Sequence, residues 1–161
     1  VDNHDVERIY TKLNNKALFA PVHVLLYTLP GVPSIYYGSE FGIEGRKEKF
    51  SDASLRPALK YEDYTNALET NSFTQLIAAL GKARQSSPEL SYGAYRELLL
   101  TNRQYAFARE LNGRSALVAV NNDDNAADFH LAASGCSSYV HIFCNSQVRA
   151  EGNLLINRAY S

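Results

Sequence analysis

The apolar period of this chain changes once, near residues 88–94, and that change limits what it can fold into. Upstream, apolar residues recur at helical spacing. Phe73, Leu76, Ile77 and Leu80 stand at i, i+3, i+4 and i+7, which predicts one buried stripe on a helix over residues 70–87. Asn71 or Ser72 is placed to cap it, and Pro88 to stop it. From Tyr92 onward the period is two. Residues 95–100, 104–110 and 115–121 read as strands, and residues 128–132, 138–144 and 153–159 as weaker ones. Asn112-Gly113 predicts a tight hairpin between the second and third strands, because a type I′ turn needs positive φ at both central positions. Short strands at this spacing predict an antiparallel all-β sandwich.

Within the helical half, Asn14 and Asn15 offer caps for a helix running to about Thr28. Its apolar positions are Leu18, Pro21 or Val22, Leu25 and Leu29. Pro21 either kinks this helix or lies in its first turn, and Pro30-Gly31 ends it. Residues 32–37 then predict a short buried strand closed by Gly38. Residues 39–64 are a long polar stretch carrying the charge run Glu44, Arg46, Lys47, Glu48 and Lys49, and loops of that length usually serve function or hold small elements of their own. Helices and a strand followed by a run of strands match the end of a β/α (TIM) barrel with an appended domain. The expected division is residues 1–90 for the barrel end and 91–161 for the sandwich.

Composition narrows the partners. The formal net charge of −1 gives no basic footprint for nucleic acid and no polyanion site. No run of eighteen apolar residues exists, so no membrane-spanning helix is expected. The chain contains no Met and reads as an excerpt whose natural N-terminus lies elsewhere, which leaves its location in or outside the cell open. It also lacks Trp, which counts against a dedicated sugar-binding module built on Trp faces. Cys136 and Cys144 read as two thiols or as one bridge between neighbouring strands, and their spacing suggests no metal. His23 reads as packed or solvated on its helix. His130 and His141 fall in the sandwich strands. Tyr61 and Tyr64 read as loop tyrosines packed on their own domain.

Two motifs remain. The chain opens on Val1-Asp2-Asn3-His4-Asp5-Val6-Glu7-Arg8, a dense polar cluster. Later comes Leu29-Pro30-Gly31-Val32-Pro33-Ser34-Ile35-Tyr36-Tyr37-Gly38-Ser39-Glu40. Together they resemble the last two strand ends of the catalytic barrel of the α-amylase family (glycoside hydrolase family 13). The run from Leu76 to Arg84 resembles the family's final barrel helix. Ser87-Pro88-Glu89-Leu90 and Tyr92-Gly93 resemble its exit into the next domain, and Leu117 to Asn122 the central strand of that domain. Glu40, Gly42, Glu44-Gly45, Asp52 and Arg56-Pro57 resemble a branch acting on cyclodextrins, pullulan and short maltooligosaccharides.

The resemblance implies a retaining α-glucan hydrolase or transglycosylase, in which two carboxyl groups about 5–5.5 Å apart act as nucleophile and acid. Those two come from earlier strands and are not in this sequence. Asp5 matches the family's third carboxylate, which hydrogen-bonds the sugar at the cleaved residue and supports its oxocarbenium-like state. Such bonds accelerate the reaction only if they strengthen in the transition state. His4 matches the histidine that donates to the same sugar, and Asn3 holds the turn and orients its neighbours. Arg8 is expected either to line the cavity or to pair with Glu7 or another surface acid. Tyr37 is expected either to wall the cavity or to pack at the strand end, and Glu40 to act as a structural cap. The implied partner is an α-glucan. No cofactor is expected in this piece, although the family admits calcium in the intact protein. The piece alone is expected to be inactive, and its barrel remnant to self-associate or to lack order over residues 1–60. Two other readings stay open: a non-catalytic amylase-like relative, and a sugar-binding or structural β-sandwich module.

Overall fold

In the computed structural model the described residues are 1–132, together with the strands Ser146–Glu151 and Leu154–Ala159. Cys136, Cys144, His141 and the strand expected over residues 138–144 lie outside them. The chain forms two compact units. The first is Val1–Tyr27 with Val32–Lys82, and the second is Thr28–Gly31 with Ala83–Ser161.

The first unit is built of short helices around an aromatic cluster. Helix α1 is Ile9–Lys12. A 3₁₀ turn over Lys16–Leu18 follows, and the Asn15 Oδ1 accepts the Ala17 N–H at 3.0 Å as its cap. Helix α2 is Phe19–Thr28, with Pro21 in its first turn, where a missing N–H costs nothing. Phe19 is 1% exposed. Its ring centroid lies 4.5 Å from that of Phe73 and 6.1 Å from that of Tyr10. Phe73 opens α4 (Ser72–Ser86), just after the one-turn α3 (Ala67–Thr70). Asn71 caps α4 as its position suggested, because its Oδ1 accepts the N–H groups of Phe73 and Thr74 at 2.9 and 3.1 Å. Gly42, at φ +73°, is required here, since a Cβ would stand 2.5 Å from the Phe73 ring.

One expectation fails in this unit. Residues 32–37 do not form a buried strand. The segment carries no ladder partner among the described residues, and Val32 is 93% exposed. Strand hydrogen bonds belong to pairs of segments, so an extended stretch with no neighbour is not a sheet whatever its composition. The polar stretch after it folds into 3₁₀ turns at Ser39–Phe41, Ala53–Leu55 and Tyr61–Tyr64.

The second unit includes the short α5 (Pro88–Tyr92), Pro88 taking its first position. Two three-stranded antiparallel sheets follow. The first is β1 (Ala94–Leu100), β2 (Gln104–Leu111) and β3 (Arg114–Asn121) in that order. The second has the order β4 (Ala127–Ala132), β6 (Leu154–Ala159), β5 (Ser146–Glu151). Asn112 and Gly113 between β2 and β3 take φ of 52° and 78°, the two positive values that a type I′ turn needs. Ala106 of the first sheet and Phe129 and Leu131 of the second, each 2% exposed or less, share one apolar cluster with Leu98, Leu99, Leu117 and Ala119.

Arg109 is buried on the opposite face of β2. Its guanidinium donates to the carbonyls of Thr28 (2.8 Å), Leu90 (2.9 Å) and Gly93 (2.8 Å). It thereby satisfies carbonyls near the ends of α2 and α5 that their own helices leave open. Burial holds its pKa below the ordinary arginine value, with Arg84 adding to the effect.

Candidate active site

The opening motif forms an exposed turn. Asn3 Oδ1 accepts the Asp5 N–H at 2.9 Å, a local bond that Asn makes readily because its short side chain mimics a backbone turn. This sets His4 and Asp5 side by side, with His4 Nε2 3.2 Å from Asp5 Oδ2 and both side chains more than half exposed. The other Asp5 oxygen, Oδ1, accepts from Arg56 Nη2 at 3.2 Å. The same guanidinium donates through Nε to the His4 carbonyl at 3.2 Å and reaches Asp52 Oδ2 at 3.4 Å. Lys47 pairs with the second Asp52 oxygen. That bond holds the Asp52 carboxyl below the usual carboxylate range, with Arg56 contributing as a nearby charge.

Arg8 is 0% exposed. Nη1 donates to the Tyr37 carbonyl at 2.7 Å and to Ser39 Oγ at 3.2 Å, and Nη2 to the Leu55 carbonyl at 2.9 Å. Its guanidinium carbon lies 4.6 Å from the Tyr36 ring centroid and 5.2 Å from that of Tyr37. Planar, delocalised and weakly hydrated, a guanidinium tolerates this setting better than an ammonium. Ser39 also donates to Asp2 Oδ2 at 2.7 Å, and that oxygen accepts the Ile9 N–H at 2.9 Å. Three separate stretches of sequence, the opening turn, residues 36–39 and residues 45–55, are thus bolted together by one arginine and one aspartate.

Tyr37 is 43% exposed beside this bolt. Its hydroxyl donates to the Pro57 carbonyl at 3.0 Å, and its ring meets Tyr36 edge-on at 4.7 Å. Glu40 lies in the Ser39–Phe41 turn, and its carbonyl accepts from Thr74 Oγ1 at 3.0 Å. Among the described residues no group of three or more His, Cys, Asp or Glu side chains is arranged to hold a metal ion. Nor is any described helix long and apolar enough to cross a membrane.

The sequence placed Asn3, His4 and Asp5 together because they are adjacent. It gave Arg56 no role at Asp5, since 51 residues separate the two and no local pattern records such a contact. The only available hint was the i, i+4 spacing of Asp52 and Arg56.

Residues 1–89 match the family described as alpha amylase, catalytic domain. Over 164 aligned positions, 99% of the chain is 30% identical to a cyclomaltodextrinase of Thermoanaerobacter pseudethanolicus, of which it covers 27%. A cyclomaltodextrin glucanotransferase of Bacillus sp. strain 1011 is 30% identical over 125 residues, which are 78% of the chain and 16% of the relative. The fold also superposes on the debranching enzyme of Nostoc punctiforme with a TM-score of 0.76 at 23% identity, over 99% of the chain and 31% of that structure. The chain therefore spans under a third of the length of these relatives.

Proposed function

Because this chain belongs to the α-amylase family, we propose that it is the C-terminal part of a retaining enzyme that hydrolyses or transfers α-1,4- or α-1,6-linked glucosyl units. In this reading residues 1–90 complete a β/α barrel and the two sheets form its appended sandwich. Asp5 is the carboxylate that accepts hydrogen bonds from the sugar at the cleaved bond, and His4 donates to that same sugar. The nucleophile and the general acid come from sequence upstream of Val1.

One observation carries the proposal. His4 and Asp5 stand adjacent and exposed, and Arg56 holds one Asp5 oxygen while the other faces His4. A carboxylate fixed in this way needs little reorganisation as positive charge develops on a sugar ring, and preorganisation of this kind is usually the largest contribution to catalysis. In this reading Arg8, Asp2 and Ser39 act by positioning. They fix the turn that carries Asp5 against residues 36–39 and 45–55, and positioning errors of about 1 Å cost roughly a hundredfold in rate.

The test is a chimera. The upstream sequence of the cyclomaltodextrinase relative is joined to Val1 and assayed on cyclodextrin, pullulan and starch. The expected result is turnover in the chimera, background in the 161-residue chain alone, and a loss of about a hundredfold or more in Asp5→Asn. Turnover by the chain alone, or an Asp5→Asn chimera with full activity, overturns the reading.

A further inference from the structure

The segment from Gly45 to Arg56 is tied at both ends to the elements that carry Asp5. At one end the Arg8 N–H donates to the Gly45 carbonyl at 3.0 Å, and the Gly45 N–H donates to Thr11 Oγ1 at 2.8 Å. At the other end Arg56 holds Asp5 and the His4 carbonyl. Between them the segment closes on itself through the Lys47–Asp52 ion pair and a hydrogen bond from Ser54 Oγ to the Arg46 carbonyl.

The closed turn of residues 47–52 presents one large apolar side chain, Phe50, which is 91% exposed. Its neighbours in sequence are Lys47, Glu48, Lys49, Ser51 and Asp52, so along the chain the ring is an apolar plate flanked by polar groups. Lys49 Nζ stands 5.3 Å from the ring centroid. Asp52 is two residues on, so its Cα lies within about 7 Å of that of Phe50, and Asp52 touches the arginine that touches Asp5.

We propose that Phe50 is a sugar-stacking residue, whose ring receives the C–H face of a glucosyl unit in the same α-glucan chain that His4 and Asp5 hold. This rests on the α-glucan reading above. A pyranose is polar at its rim and apolar on its faces. An exposed aromatic plate bordered by charged and hydroxyl groups offers both complements at once, as ligand sites do when apolar walls are combined with a few placed polar groups. A Phe so exposed gains nothing from the fold, whereas the ties at both ends of its turn hold it in a fixed relation to Asp5.

The test titrates maltoheptaose into the 161-residue chain and follows saturation transfer from aromatic protons to sugar protons, together with the dissociation constant. The variants are Phe50→Ala, Phe50→Tyr and His4→Ala. Circular dichroism of the Phe50 variants is expected to match wild type, because the side chain is 91% exposed. Binding is expected to weaken about tenfold in Phe50→Ala and to recover in Phe50→Tyr, with transfer from the Phe50 ring lost in the former. Binding that falls in His4→Ala but is unchanged in Phe50→Ala overturns the stacking role and leaves the α-glucan reading standing. No binding of maltoheptaose by the wild-type chain overturns the stacking proposal and counts against the α-glucan reading as well.

Discussion

Arg56 Nη2 lies 3.2 Å from Asp5 Oδ1, and the same side chain donates through Nε to the His4 carbonyl. The guanidinium fork therefore fixes both the carboxylate and the backbone from which it projects. Lysine carries the charge but only as a point, without the second arm. Both partners are about half exposed or more, and exposed pairs contribute at most about 1 kcal/mol to stability. Arg56→Ala is thus expected to leave the urea midpoint nearly unchanged while lowering kcat/KM of the chimera by about tenfold or more, with Arg56→Lys closer to Ala than to wild type. Chemical denaturation and steady-state kinetics on the same preparations check this. A large stability loss, or full activity in Arg56→Ala, contradicts a positioning role.

Arg8 is the reverse case. It is fully buried, and its three acceptors lie 29, 31 and 47 residues away. Arg8→Ala leaves the Tyr37 carbonyl without this donor in a part-buried setting and removes the plate under Tyr36 and Tyr37. The expected cost is about 3 kcal/mol, since hydrogen bonds to charged groups contribute about 1.5–3 kcal/mol each and are not additive. Arg8→Lys is expected to recover less than half of it, because one ammonium cannot span acceptors on two segments. Urea unfolding followed by tyrosine fluorescence measures both.

These two arginines mark how far the sequence could be read. The strand runs of β2 and β3, the Asn112-Gly113 turn and the Asn71 cap are marked by residues within a few positions of one another, so their signals are local. The segment 32–37 has strand composition, but a strand also needs a neighbour, and no sequence window says whether one is present. Asn3, His4 and Asp5 are legible as a cluster because they are contiguous. The burial of Arg8 and the approach of Arg56 to Asp5 are not, because each depends on residues 45–56 folding back over the opening turn. An arginine in a polar motif reads as a surface group until the acceptors that bury it are known.

Tyr105 gives a prediction at alkaline pH. Burial pushes its phenol up to about 12, helped by the hydroxyl–hydroxyl bond to Tyr95 at 2.7 Å. The folded pKa is raised above the ordinary 10.0. Its stabilising contribution is therefore fully present below pH 10 and is lost as pH rises through about 12. A spectrophotometric titration is expected to show a late Tyr105 step, alongside Tyr27 and Tyr36, whose phenols burial also raises above the ordinary 10.0. In Tyr95→Phe that step should move down while staying above 10, because burial, the larger cause, remains.

His23 gives a prediction at mildly acidic pH. It is 0% exposed and stacked on Phe19 at 3.9 Å. Nδ1–H donates to the Phe19 carbonyl at 2.8 Å, so the neutral ring carries its lone pair on Nε2, a buried atom with no hydrogen-bond partner. Protonation would place a buried, unpartnered N–H and a charge there. Burial accordingly holds the pKa below the ordinary 6.5, although the Phe19 bond and the charge of Asp2 pull the other way. A depressed histidine pKa means that the unfolded chain binds the proton more tightly. Stability is then whole above about pH 6.5 and falls as pH drops below it toward the folded pKa. The first unit is expected to unfold at lower urea at pH 5 than at pH 7.5. His23→Gln should reduce this difference, because glutamine takes up no proton in that range. Urea midpoints of both proteins at the two pH values check this, and an equal pH dependence in His23→Gln would remove His23 as its cause.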